Sequence, residues 1–237
     1  MDKYDLVERY EALGEEDDFL AARRLFEQDL TGTSSALDRR QYGYLLECHG
    51  RRELRRAVDH YEQAMAADPD DDKVQYQWMH ATAALGEPDD AVTRYRARAD
   101  ASPGDVRELR FLASACLLAR DYGAASDVIS AGLALAPGDA KLTSDRGDLR
   151  AARGDAEGAL ADWRRAHELD PQDFGPVYSS AFLLERLGRL AEAIGAWRRI
   201  LEHADARGWE LTAIWPRQEI QRLQERLGGR QHPDSGA

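Results

Sequence analysis

Four prolines, Pro69, Pro103, Pro137 and Pro171, each stand one 34-residue step beyond the last. The chain has only 8 prolines in 237 residues, so this spacing marks an internal repeat rather than an accident of composition. Alanine keeps the same period at Ala57, Ala91, Ala125, Ala159 and Ala193. A large side chain follows four residues after each: Tyr61, Tyr95, Ile129, Trp163 and Trp197. Glycine precedes the alanine by five residues at Gly86, Gly154 and Gly188. The physical reading is a pair of helices per unit. The first ends at a glycine that can take a left-handed cap. The second carries the alanine and the large residue on one face, and the proline stops it. A small residue beside a large one lets two helices approach and fills the space between them.

The clearest copies are GDAEGALADWRRAHELDP (154–171) and GRLAEAIGAWRRILEHAD (188–205), the latter with Asp205 where proline is expected. In period, small-residue position, aromatic and closing proline, the chain resembles the tetratricopeptide repeat (TPR) family. The resemblance implies an all-α fold: a right-handed solenoid of antiparallel helix pairs. Five repeats are expected at about 36–71, 72–105, 106–139, 140–173 and 174–207, so that 36–207 forms the array. In the first repeat Gly50 lies seven residues before Ala57, which predicts a turn two residues longer. In the third, Arg120 stands where the turn glycine belongs. Residues 1–35 read as a degenerate helix pair, with YEALG at 10–14, a second helix from about Phe19 carrying Ala21 and Leu25, and EEDD (15–18) as a solvated turn. A capping helix is expected over 208–227 and a disordered tail over 228–237.

Composition excludes several function classes. The 44 acids against 32 Lys and Arg give net −12, which disfavours binding to nucleic acid or an anionic membrane because phosphates repel it. Two cysteines are too few for a disulfide framework. No apolar run spans a membrane and the start has no secretory h-region, so a cytoplasmic protein is expected. The Arg-, Ala- and Asp-rich, Lys-poor usage suggests a bacterial source of high GC content.

No catalytic or metal constellation stands out. The histidines at 49, 60, 80, 167, 203 and 232 include no pair four apart and no zinc spacing. Cys48 and His49 are sequence neighbours, which does not make a reactive pair. No phosphate-cradling, dinucleotide or nucleophile-elbow motif occurs. Trp78, Trp163 and Trp197 fall at packing positions, Cys116 reads as a buried inert thiol, and the paired acids read as helix caps. The expectation is no enzyme, no cofactor and no metal.

Candidate binding residues follow from the resemblance, which places the first helix of each pair on a concave groove. Its exposed stripe gives Lys73, Arg107 and Lys141 at position 2, Tyr76, Arg110 and Tyr178 at position 5, and His80, Ser114, Asp148 and Phe182 at position 9. The first repeat adds Arg40 and Tyr44. Cations at the first turn of a helix oppose its dipole. The column Lys73–Arg107–Lys141, with Arg40 and Arg110, therefore reads either as an anion-attracting groove or as cations that neutralise nearby acids such as Asp71, Asp72 and Asp105. Some members of the family clamp a terminal carboxylate; Arg40, Gln77 and Arg107 fall at matching positions, while Tyr44 and Phe111 depart from that pattern.

The functional expectation is a protein–protein interaction scaffold that binds an extended or helical, acidic or carboxylate-bearing segment of another protein. The alternative is a regulatory sensor for a small peptide or metabolite. The stripe Trp209, Ala213, Pro216, Ile220, Leu223 and Leu227 runs in phase through Pro216 and is stopped by Gly228 and Gly229. It is expected to pack on Ala193, Trp197 and Ile200. The rival use of that stripe is a homodimer.

Overall fold

The structure, a computed structural model, describes residues 2–29, 36–208 and 210–230; within these, the side chains of 36–40, 43, 210–212, 229 and 230 fall outside the description. The elements among the described residues are all helices: α1 (Lys3–Leu13), α2 (Glu16–Asp29), α3 (Ala36–Ala67), α4 (Asp72–Ala84), α5 (Pro88–Ala101), α6 (Val106–Leu118), α7 (Tyr122–Leu135), α8 (Ala140–Ala152), α9 (Ala156–Leu169), α10 (Gly175–Arg186), α11 (Leu190–Ala206) and α12 (Glu210–Arg230). The chain divides into two compact units, Met1–Ala91 and Val92–Ala237.

The proline period maps onto the helix ends. Pro69, Pro103, Pro137 and Pro171 each lie two residues beyond the last residue of α3, α5, α7 and α9. Where Asp205 replaces the proline, α11 runs on to Ala206 and reaches 17 residues against 14 for α5, α7 and α9. Nothing removes its backbone donor there, so the helix continues. The first helices are capped on the same period: Asp71, Asp105 and Asp139 accept backbone N–H groups of α4, α6 and α8. Gly86, Gly154 and Gly188 take left-handed φ at the interhelical turns, and Arg120 takes it too, at φ +58°. Arg120 is the one non-glycine residue with positive φ among those described.

The core column holds from the second repeat onward. Ala91, Ala125, Ala159 and Ala193 are buried, as are Tyr95, Ile129, Trp163 and Trp197. Trp78 and Cys116 are buried as well, and burial pushes the Cys116 thiol up. The column fails in the first repeat, where Ala57 and Tyr61 are only half-buried. The reason is that the turn expected near Gly50 does not form, and α3 is one helix of 32 residues. RRELRRAV (51–58) is made largely of helix formers, and Glu47 pairs with Arg51 across Gly50 at 3.0 Å. Arg52 donates to the carbonyls of Tyr10 and Glu11 at 3.0 and 2.6 Å, holding the C-terminal end of α1 from α3. These contacts offset the roughly 1 kcal/mol that a helical glycine costs.

The N-terminal pair also differs from expectation. EEDD is not a solvated turn, because α2 begins at Glu16 and Asp18 is buried and paired with Arg9 at 3.2 Å. The buried stripe of α2 is Phe19, Ala22 and Phe26, and it packs with Leu6, Val7, Tyr10 and Leu45; Ala21 and Leu25 are only partly buried beside it.

In the unit Val92–Ala237, α12 packs on α11. Leu223 is fully buried in the cluster of Ala193, Trp197 and Ile200, and Ile220 and Leu227 pack against it. Arg222 and Arg226 of α12 both donate to Glu185 of α10, at 2.7 and 2.5 Å. Pro216 sits inside the helix. Gly228 and Gly229 do not stop it: the helix runs to Arg230, since neither glycine meets a turn that calls for a left-handed residue. Trp209 and the tail 231–237 lie outside the described residues.

Candidate functional site

The first helices of the unit Val92–Ala237 supply the richest surface. Helix α8 packs against both α6 and α10. On α6, Arg110 reaches the N-cap of α8 and donates to Asp139 at 2.6 Å. That carboxylate is buried, and it also caps the Leu142 N–H at 2.9 Å. One turn further on, the Ser114 hydroxyl donates to Asp145 at 3.1 Å. Lys141 pairs with the same carboxylate at 2.5 Å, four residues along its own helix. Asp145 is 1% exposed, and its burial pushes the acid up while the Lys141 ammonium pulls it down.

Two of the expected groove cations are therefore engaged by buried acids. Arg110 and Lys141 neutralise Asp139 and Asp145, neither of which is among the acids that the sequence points to. Arg107 lies over the ring of Phe111 at 5.4 Å. Ser114 is buried, so it supports Asp145 instead of presenting a contact.

Asp148, one turn beyond Asp145, has a different environment. It accepts a hydrogen bond from the indole of Trp163 on α9 at 2.9 Å. Burial first, then the negative charge of Asp145, push it up to about 6. A helical neighbour, Gly147, leaves room for that indole: a Cβ there would sit 2.6 Å from the Trp163 ring. Behind this face, Asp162 of α9 is buried and accepts from Arg146 at 2.9 and 2.7 Å and pairs with Arg150 at 2.9 Å.

At α10 the surface turns aromatic. Phe182 meets Trp197 edge-on at 5.4 Å and Trp215 of α12 at 5.7 Å. Tyr178 stacks on Trp215 at 5.9 Å and meets Trp197 edge-on at 5.6 Å. Trp197 is the buried base, whereas Phe182 is 43% and Trp215 44% exposed. Sequence reasoning misses Trp215 because it falls off the apolar stripe of α12. Its off-stripe position, next to Ile214, which is also exposed, is the available signal.

The remaining sequence candidates belong to the unit Met1–Ala91. Lys73, Gln77 and His80 are exposed on α4, and Tyr76 is half-buried. Tyr44 of α3 is exposed and donates to Glu11 at 2.5 Å, which pushes its phenol up. The Arg40 side chain lies outside the described residues. No described helix is long and apolar enough to cross a membrane.

Paired helices on a 34-residue period, closed by proline and packed through an alanine–aromatic column, define the tetratricopeptide-repeat fold, and the chain has that fold. It is similar to the crystal structure of a thermophilic TPR protein of Thermus thermophilus, at TM-score 0.57 and 20% identity over 76% of this chain and 94% of that one. It is also similar to a chain of the APC/C hetero-tetramer Cut9–Hcn1, at TM-score 0.52 and 16% identity over 94% of this chain and 49% of that one. It spans about half the length of the latter. No protein-family model and no curated protein matches the sequence.

Proposed function

We propose that the chain is a non-enzymatic protein–protein interaction scaffold and that the first-helix face of its unit Val92–Ala237 takes a segment of a partner protein. The observation that carries this reading is the platform of Tyr178, Phe182 and Trp215. Two large aromatics, each more than two-fifths exposed, stand on a fully buried tryptophan. Rigid aromatics around a buried base are the anchor points of interfaces, because they bury much area at little entropic cost. A hetero-tetramer among the similar structures fits the same use of the fold. The partner segment, extended or helical, presents an apolar or aromatic anchor. Acidic residues in it add less than the sequence suggests, since Arg110 and Lys141 already serve Asp139 and Asp145.

The test is selection of binding peptides from a random display library against the full chain. Enriched peptides should share an apolar anchor, bind almost equally at low and high salt, and weaken at least tenfold with Phe182→Ala or Trp215→Ala. Peptides that are acidic, salt-sensitive and indifferent to both substitutions would overturn the anchor and restore the charge column.

A second reading, a sensor for a small peptide or metabolite, draws on another feature. A cleft of about 550 Å³ lies among α9, α10 and α11, floored by Leu160, Val177 and Leu184 and rimmed by Arg164, Arg189 and Arg199 with Glu157, Glu168 and Glu192. Its size suits a small ligand. Ligand-induced compaction in small-angle scattering would favour it, and an unchanged radius would count against it.

A further inference from the structure

We propose that Glu16, His49 and Glu53 form a binding site for one divalent transition-metal ion in the unit Met1–Ala91. One ligand atom from each lies within 4.8 Å of the other two. His49 and Glu53 are four residues apart on α3, so they share a helix face. That pairing exists only because α3 continues through Gly50; the turn expected from the repeat would have parted them. Glu16 comes from the first turn of α2. An ion bound here ties the start of α2 to the middle of α3.

The imidazole is held in place before any ion arrives. It stacks on Phe19 with ring centroids 3.8 Å apart and planes 6° from parallel. Its Nδ1 lies 3.0 Å from the Tyr10 hydroxyl and 3.9 Å from the Glu16 carboxylate. The packed ring fixes the direction of Nδ1, and an ion bound there must take its lone pair from the Tyr10 hydroxyl, which turns to another acceptor. Both glutamates are exposed and can rotate. Zinc–ligand distances of about 2.0–2.2 Å put tetrahedral donors about 3.4 Å apart, so the three groups must close by up to about 1.4 Å. Two carboxylates balance a divalent charge, and a set of two oxygens and one imidazole nitrogen suits zinc, cobalt or manganese.

The cations around the site are its competitors. Arg56 donates to one Glu53 oxygen at 2.6 Å, and an ion must use the other oxygen or displace it. Arg52 lies over the Tyr10 ring at 5.1 Å with its guanidinium turned to the α1 carbonyls. Cys48, next in sequence, is a half-buried free thiol and the obvious rival donor.

The test is titration of the full, chelator-stripped chain with zinc by calorimetry and with cobalt by visible absorption. The expected result is one ion per chain, cobalt d–d bands and a higher melting temperature in zinc. His49→Gln, Glu53→Gln and Glu16→Gln should each weaken binding at least tenfold, and Cys48→Ser should leave it unchanged. The glutamate variants change only exposed side chains, and circular dichroism checks their fold. Absence of saturable binding overturns the proposal. So does uptake that survives both His49→Gln and Glu53→Gln, or uptake lost in Cys48→Ser.

Discussion

Replacing Asp148 by asparagine should stabilise the protein at neutral pH, although it deletes a hydrogen-bonded carboxylate. Asp148 is pushed from its ordinary 3.8 up to about 6, chiefly by burial. For an acid with a raised folded value, the native state binds more protons than the unfolded chain between those limits. Stability therefore falls as pH rises from about 4 to 6, and the full penalty persists above about 6. A shift of about 2 units corresponds to about 3 kcal/mol as an upper bound. The side chain keeps some solvent contact, and an asparagine oxygen accepts the Trp163 indole less strongly than a carboxylate does. The expected net gain is about 1–2 kcal/mol at neutral pH. For a chain of this size that is roughly 3–6 °C in melting temperature. The assay is a set of thermal or urea melts of both proteins from about pH 4.5 to 8, with tryptophan fluorescence following the indole contact. Wild type should lose stability relative to Asp148→Asn across roughly pH 4.5–6.5, and the difference should level off above. A variant that is less stable than wild type at neutral pH, or that keeps the same pH slope, would refute the assignment of a carboxylate whose desolvation outweighs its hydrogen bond to Trp163.

Three further outcomes test other parts of the structure. Arg120→Gly relieves a left-handed residue at φ +58° and should stabilise by about 1 kcal/mol in denaturant melts; destabilisation would mean that the arginine side chain outweighs the strain. Lys141→Glu puts a second carboxylate against the buried Asp145 and should destabilise the unit Val92–Ala237 by about 3 kcal/mol or more, whereas Lys73→Glu on exposed surface should stay within about 0.5 kcal/mol; equal melting of the two would remove the ion-pair argument. Truncation after Asp205 uncovers the side of the core that Leu223 fills and should yield an aggregating protein on size-exclusion chromatography. A truncated chain that stays dispersed, keeps its melting point and changes from dimer to monomer would instead identify α12 as a dimer contact.

How much is legible in the sequence depends on whether the information is periodic. Prolines two residues past α3, α5, α7 and α9, aspartates at the N-caps of α4, α6 and α8 and the alanine–aromatic column all act within one or two turns of chain, so one repeat explains the next. The same local logic locates the turn at Arg120. It fails at Gly50, because the helix there is held by Arg52 reaching α1, a contact 41 to 42 residues away in sequence. It fails again for the groove. Arg110 reads as spare charge, and only packing of α6 on α8 shows that Asp139 takes it up. Lys141 and Asp145 stand four apart on one helix, so their pairing is local, and what the packing adds is the burial of Asp145. Trp215 looks like a stray residue until α12 lays it beside Phe182 and Tyr178. The sequence by itself therefore determined the helix pairs and packing column from the second repeat onward, since backbone donors, caps and side-chain size act locally. Tertiary structure decided which charges are neutralised, which aromatics stay exposed and which ligating groups meet, because those depend on residues from different helices being brought to one place and removed from water together.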